Sequence, residues 1–370
     1  MVWRFLITLV LIPHATSQKL CQSSKLSLSR CSTMASEIEE VSRTEFPQFD
    51  VVTDFSDHKF TNWKDHNFTP GGLVCKQIMR EWKILSENLP ETIYVRAYEA
   101  RIDLLRAVIV GAKGTPYHDG LFFFDLAFPQ NYPNSPPKVN YRSYGYELNP
   151  IIYSNGYICL SILNSRSGKM SEAWNPSSTV LQILVSLQAL VLNEKAFYNE
   201  AILKPAWSSK RYSQKVFASN CRTMQAVLRS PPLNFKEFVT AHFCRRACSI
   251  LKAIDAYKDG VVAVGQFDET QCYLVSKTTK VSKTYAREMN SLYCKMFSIF
   301  SNIAAPGLDK LSLPCPKPVP IKTVSDSAAS NPPQATPANK ESKKSITGKI
   351  LEMVKRVYKK ITSSKSSHRS

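Results

Sequence analysis

The chain has 370 residues, 44% of them hydrophobic, and its 48 Lys and Arg outnumber its 29 Asp and Glu, giving a net charge of +19. Such a length and composition belong to a soluble globular protein with one large buried domain and additions. Its ten cysteines contain no CxxC pair, which argues against a zinc ribbon or a small disulfide scaffold and for free thiols in a reducing compartment. The positive surface favours acidic partners, and nucleic acid, anionic lipid or an acidic protein face would each satisfy it.

In chain order, MVWRFLITLVLIPHATSQ carries the basic Arg4, an apolar stretch from Phe5 to Ile12 and small residues from Ala15 to Ser17, the plan of a secretion signal. That stretch is shorter than the roughly 20 residues a membrane-spanning helix needs. A weak targeting segment or an irrelevant leader is expected, with residues 1–46 as leader and flexible lead-in. From 75 to 89, Ile78, Trp82, Leu85 and Leu89 recur at helical spacing and end at Pro90, an amphipathic first helix. Three β-rich runs follow, Thr92 to Tyr98, Ile102 to Val110 and Leu121 to Phe128, parted by Gly111, Gly114, Pro116 and Gly120. A short fourth strand is predicted near Val139 to Tyr141, after the Pro-rich 129–137.

The run Val180 to Leu192 is apolar nearly all round, as a helix buried against a sheet would be. Helix, antiparallel meander, loop and buried helix make an α+β order. Further helices are predicted near 208–230, 234–257 and 283–303, an extension over 206–305. Residues 306–342 form a Pro-rich linker. The tail 343–370 sets Ile346, Ile350, Leu351, Val354, Val357 and Ile361 at helical spacing among Lys and Arg, a basic amphipathic helix. It reads as a contact for an anionic membrane surface, with a nuclear signal or a solvated tail as alternatives.

Between 129 and 200 the punctuation is Tyr132-Pro133, Pro136-Pro137, Asn149-Pro150, Cys159 and Trp174, within FPQNYPNSPPKVNY, LNPIIYSNGYICLSIL and AWNPSSTVLQILVSLQALVLNEKAFYNE. This order resembles the ubiquitin-conjugating fold. The nearest likeness is to the large plant enzymes of the phosphate-homeostasis type, related to conjugase-ligase hybrids, and it spans roughly 47–260, with a core at 47–205. Read from its neighbours alone, a cysteine between Ile158 and Leu160 is a small buried hydrophobe. The resemblance implies instead that Cys159, after the Ser154-Asn155-Gly156 turn, is the nucleophile that carries ubiquitin as a thioester and gives it to lysines.

The family's His-Pro-Asn tripeptide aligns with Asn149-Pro150-Ile151, so the amide held to support the oxyanion or the loop is lost to Ile151. Asn149 or Asn155 could substitute, and Ile151→Asn is expected to speed discharge to lysine. Asn199 and Glu200 fall where the family orients the incoming lysine; a plain helix-to-loop turn is the alternative. Lys76 and Arg80 match the face offered to the activating enzyme, with a merely solvated helix face as the alternative, while Asn134, Trp174 and Pro176 lie in the ligase-contact loops. Asn134 and Ser177 depart from the usual residues there, which fits a hybrid that works without a separate RING ligase.

The partners so implied are ubiquitin, its ATP-dependent activating enzyme, a ligase and protein substrates, membrane transporters among them. Neither a cofactor nor nucleic acid is expected. The placement is cytoplasmic, including the cytosolic face of endomembranes, or nuclear. The rival function is a silent binding module of the same fold, with Ile151 marking lost catalysis. A cysteine hydrolase would need a histidine base, and no histidine falls between 119 and 241. His242, Cys244 and Cys248 share one predicted helix with Phe238, Phe243 and Ile250 and no fourth ligand, so packing is favoured over zinc.

Overall fold

The computed structural model describes residues 46–311 apart from 65–67, 70, 166–172, 200–205 and 272–278, and the side chains of 206–208. The leader, most of the Pro-rich linker and the basic tail therefore lie outside the described residues, as does Glu200. By compactness the chain divides into Met1–Cys315 and Pro316–Ser370.

The first helix, α1, runs Leu73–Asn88 and buries Ile78, Glu81, Trp82 and Leu85 along one stripe, as the spacing predicts. The meander follows as β2 (Ile93–Tyr98), β3 (Leu104–Val110), β4 (Leu121–Ala127) and β5 (Lys138–Tyr141), each antiparallel to the last. A fifth strand, β1 (Phe49–Val52), adds itself parallel to the outer edge of β2, pairing Phe49 with Val95 and Val52 with Tyr98. Four residues, with both middle side chains exposed, carry too little periodicity to announce a strand.

Neither β3 (LLRAVIV) nor β4 (LFFFDLA) alternates polar with apolar residues, because both faces of the sheet are covered. On one face, Val95, Ala107, Ile109, Phe122, Phe124 and Leu126 pack against Ile78 and Leu85 of α1 and against Ile183, Leu184 and Leu187. On the other, Val108, Leu121 and Phe123 meet the helical extension. This face also holds Arg106 of β3 directly opposite Asp125 of β4. The buried guanidinium gives Asp125 two hydrogen bonds, 2.6 and 2.9 Å, and a third to Asp57 at 2.6 Å; Arg142 gives Asp57 another at 2.8 Å, so two cations face two carboxylates.

The apolar run after Thr179 does not continue as one α-helix. It is helical over α2 (Val180–Ser186) and then widens into a π-turn at Leu187–Val191. A capping box starts it, Thr179 Oγ1 accepting from Gln182 N (3.3 Å) and Gln182 Oε1 from Thr179 N (3.0 Å). The extension forms α3 (Ala206–Arg229), α4 (Lys236–Lys258) and α5 (Lys283–Asn302), interrupted at Pro231-Pro232 and at Gly260 as the sequence predicts. No helix of the described residues is long and apolar enough to cross a membrane.

Candidate functional site

Residues 148–165 form an irregular loop between β5 and α2, stitched together by few but well-placed hydrogen bonds. Its buried anchor is Asn149, 0% exposed. The side-chain amide donates to Tyr117 Oη (3.0 Å) and to the Val191 carbonyl (2.9 Å), while its oxygen accepts from Ile151 N (3.1 Å). Val191 ends the π-turn, where a carbonyl lacks a helical donor, so the asparagine also closes a helix end. Of the two roles implied for Asn149, the geometry serves loop support, because neither of its polar atoms is left for an oxyanion.

The turn before the cysteine needs glycine. Gly156 has φ +87°, and a Cβ there would sit 2.2 Å from the Tyr141 carbonyl. Asn155 Oδ1 accepts from Tyr157 N (2.9 Å), and Tyr141 N donates to Gly156 O (2.8 Å), tying the turn to β5. Asn155 therefore holds the turn, as the Ser-Asn-Gly signal predicts.

Cys159 follows, half-buried and unpaired with any other cysteine. Its N–H donates to Ile151 O (2.8 Å) and its thiol to Ser165 O (3.4 Å). Ser165 in turn receives Leu160 N at 2.9 Å and reaches Ile158 O at 2.8 Å, clamping both sides of the cysteine. Ile151 is 7% exposed and belongs to the apolar core. The expectation that an asparagine there would present its amide to the thioester is thereby weakened, since the side chain at 151 points into hydrocarbon.

Among the other described thiols, burial raises those of Cys221, Cys244 and Cys248. Cys244 and Cys248 donate to the carbonyls of Ile303 and Pro306, and buried His242 donates to Asp119 O at 2.9 Å. The trio thus makes contacts to backbone carbonyls, and no group of three or more His, Cys, Asp or Glu that could hold a metal ion occurs among the described residues.

Lys76 and Arg80 are exposed on α1, one turn apart, with Lys83 beyond them. Asn134 and Pro176 are exposed, each in its own loop, whereas Trp174 is 7% exposed. Its indole donates to Pro133 O (2.7 Å) and its N–H to Asn164 Oδ1 (3.2 Å), so Trp174 joins the two contact loops and the cysteine loop rather than facing a partner. Asn199 is half-buried in the turn Ala196–Asn199.

Sequence reasoning missed Glu81. Fully buried, it accepts from Tyr132 Oη (2.7 Å) and from Val180 N (2.9 Å), linking α1, the Asn134 loop and the start of α2. Burial raises its pKa against the pull of those two bonds. The signal was available: Glu81 stands three residues after Ile78 and four before Leu85, a carboxylate on the apolar stripe. Ser165 and Tyr117 had no comparable signal, because their partners are distant in sequence or backbone atoms.

A sheet backed by two helices, with a half-buried cysteine on a hydrogen-bonded loop before α2, defines an α+β domain with a cysteine-bearing loop. Residues 77–225 match the ubiquitin-conjugating enzyme family. The chain is 46% identical over 243 residues to the protein designated ubiquitin-conjugating enzyme E2 38 of Arabidopsis thaliana, covering 64% of this chain and 74% of that one. It is 49% identical over 243 residues to the one designated E2 39, covering 61% and 73%. It is also similar to the human dual E2 ubiquitin-conjugating enzyme/E3 ubiquitin-protein ligase BIRC6, 32% identical over 234 residues, which are 56% of this chain and 5% of that one. The chain belongs to the ubiquitin-conjugating enzyme family and is a transferase. Membership brings ubiquitin, an activating enzyme and substrate or ligase partners in general terms.

Proposed function

We propose that Cys159 accepts ubiquitin from the activating enzyme as a thioester and passes it to protein lysines. The observation that carries this reading is the half-buried Cys159, its N–H held by Ile151 O and its thiol by Ser165 O, on a loop whose glycine turn and buried asparagine restrict its movement. A group poised before reaction needs less reorganisation when the thioester is attacked. Cys221, by contrast, is fully buried and Cys244 and Cys248 serve the extension.

Asn134 and Pro176 would form the ligase-facing surface, held in register by Trp174, and Lys76 and Arg80 the face for the activating enzyme. Asn199 and Glu200 would orient the lysine. The resemblance to a dual conjugase-ligase supports a hybrid that discharges without a separate ligase. From its sequence, the tail 343–370 would hold the protein on an anionic membrane, on the cytosolic side where activated ubiquitin is available, with transporters among its substrates.

The test is a non-reducing gel after incubation with activating enzyme, ATP and ubiquitin. A reducible adduct is expected in the wild type and absent from Cys159→Ala, and it should decay when lysine is added. A folded wild type that forms no adduct would favour the silent binding module.

A further inference from the structure

With Ile151 lacking a donor, the thioester's developing oxyanion needs one from elsewhere. Asn149 is committed on all sides to Tyr117, Val191 and Ile151. Ser165 has a single hydroxyl proton, and its oxygen lies within reach of the Ile158 and Leu160 carbonyls. One side chain beside the sulfur is differently placed. Tyr157 is 48% exposed, and its hydroxyl donates to Ser165 O at 3.5 Å, the same carbonyl that receives the Cys159 thiol at 3.4 Å. Since both reach one atom, the phenol oxygen and the sulfur are at most about 7 Å apart.

That 3.5 Å contact is at the long limit for a hydrogen bond, so turning the phenol toward a better acceptor gives up little. The backbone beneath it is fixed: Tyr157 N donates to Asn155 Oδ1, and Tyr157 O accepts from Tyr153 N, each at 2.9 Å. Tyr153's ring, 5.8 Å away, flanks it. Acylation removes the thiol proton and sets the thioester carbonyl in the same half-exposed space.

We infer that the Tyr157 hydroxyl is the catalytic donor to the thioester oxyanion, in the place an amide at 151 cannot fill. This rests on the Cys159 thioester reading. The lysine amine attacks the carbonyl carbon, the C–N bond forms, and the electron pair moves onto oxygen, where Tyr157 donates its hydrogen bond. Collapse breaks the C–S bond, and the proton lost by the amine ends on the Cys159 thiolate.

The test compares full-length wild type, Tyr157→Phe and Tyr157→His, charged with ubiquitin, in single-turnover discharge over a range of free lysine. Phe keeps the ring and loses the donor, whereas His keeps a ring donor. Charging is carried to completion before lysine is added, so that only discharge is compared. At saturating lysine, Tyr157→Phe should discharge about tenfold slower or worse, below the 100- to 1000-fold cost of a fully buried donor because this one is half in water. The half-saturating lysine concentration should not move, and His should recover part of the rate.

Wild-type discharge by Tyr157→Phe would overturn the inference, as would a defect expressed wholly in the half-saturating concentration, or a His variant no faster than Phe. A wild type that never charges would instead fail the thioester reading.

Discussion

Asn149→Ala removes the buried side chain that ties the start of the cysteine loop to Tyr117 and Val191. Three hydrogen bonds of 2.9 to 3.1 Å go with it, at a residue with no exposure. Tyr117 retains its bond to Leu148 O (2.9 Å), so the groups left without partners are Ile151 N and Val191 O. Each unsatisfied buried group costs about 1–3 kcal/mol, so the loss is roughly 2–6 kcal/mol if the loop stays closed. Against a typical domain stability of about 5–15 kcal/mol, that is measurable without being fatal. Should the loop open instead, water satisfies both groups, the stability loss shrinks, and the amides of Ile151 and Cys159 exchange faster.

Denaturant unfolding together with hydrogen exchange therefore reports both routes. In either one the thiol loses its fixed approach, and charging by the activating enzyme should slow. An Asn149→Ala protein that unfolds within about 1 kcal/mol of wild type, exchanges these amides no faster and charges normally would refute the anchoring role.

Ile151→Asn puts an amide into the apolar core and should cost about 2–4 kcal/mol in denaturant unfolding. It should not speed discharge to free lysine; a faster discharge would mean the side chain turns outward. Burial lowers the pKa of His242 from 6.5 to about 4, so below about 6.5 the unfolded chain binds a proton that the folded one refuses. The stability this contributes at neutral pH is lost as pH falls from about 6.5 to about 4, on the order of 3 kcal/mol in all. His242→Gln, which can still donate to Asp119 O, should flatten the fall in unfolding midpoint between about pH 7 and pH 5, and equal slopes would count against it. The full chain should bind vesicles rich in anionic lipid and release them as salt rises, at about 1 kcal/mol per basic residue engaged; equal binding to neutral vesicles would refute membrane attraction by the tail.

Local pattern was enough to read the first helix, the four-stranded meander, the breaks at Pro231-Pro232 and Gly260, and the glycine turn before Cys159. Each depends on residues adjacent in the chain or on one helical face, where spacing and φ preferences are legible. The edge strand Phe49–Val52 was not, since its hydrogen-bond partner lies 46 residues onward and its own pattern is four residues long.

Nor could sequence alone decide what the site's polar residues do. Asn149 reads equally as loop support or oxyanion donor until Tyr117 and Val191, 32 positions before it and 42 after it, are seen to engage its amide. Ile151 reads as a missing donor until its packing shows it facing hydrocarbon. Trp174 reads as a partner contact until its indole is found bonded to Pro133 O. Local sequence determines which conformations and chemistries a residue can supply; burial and long-range partners decide which of them remains available.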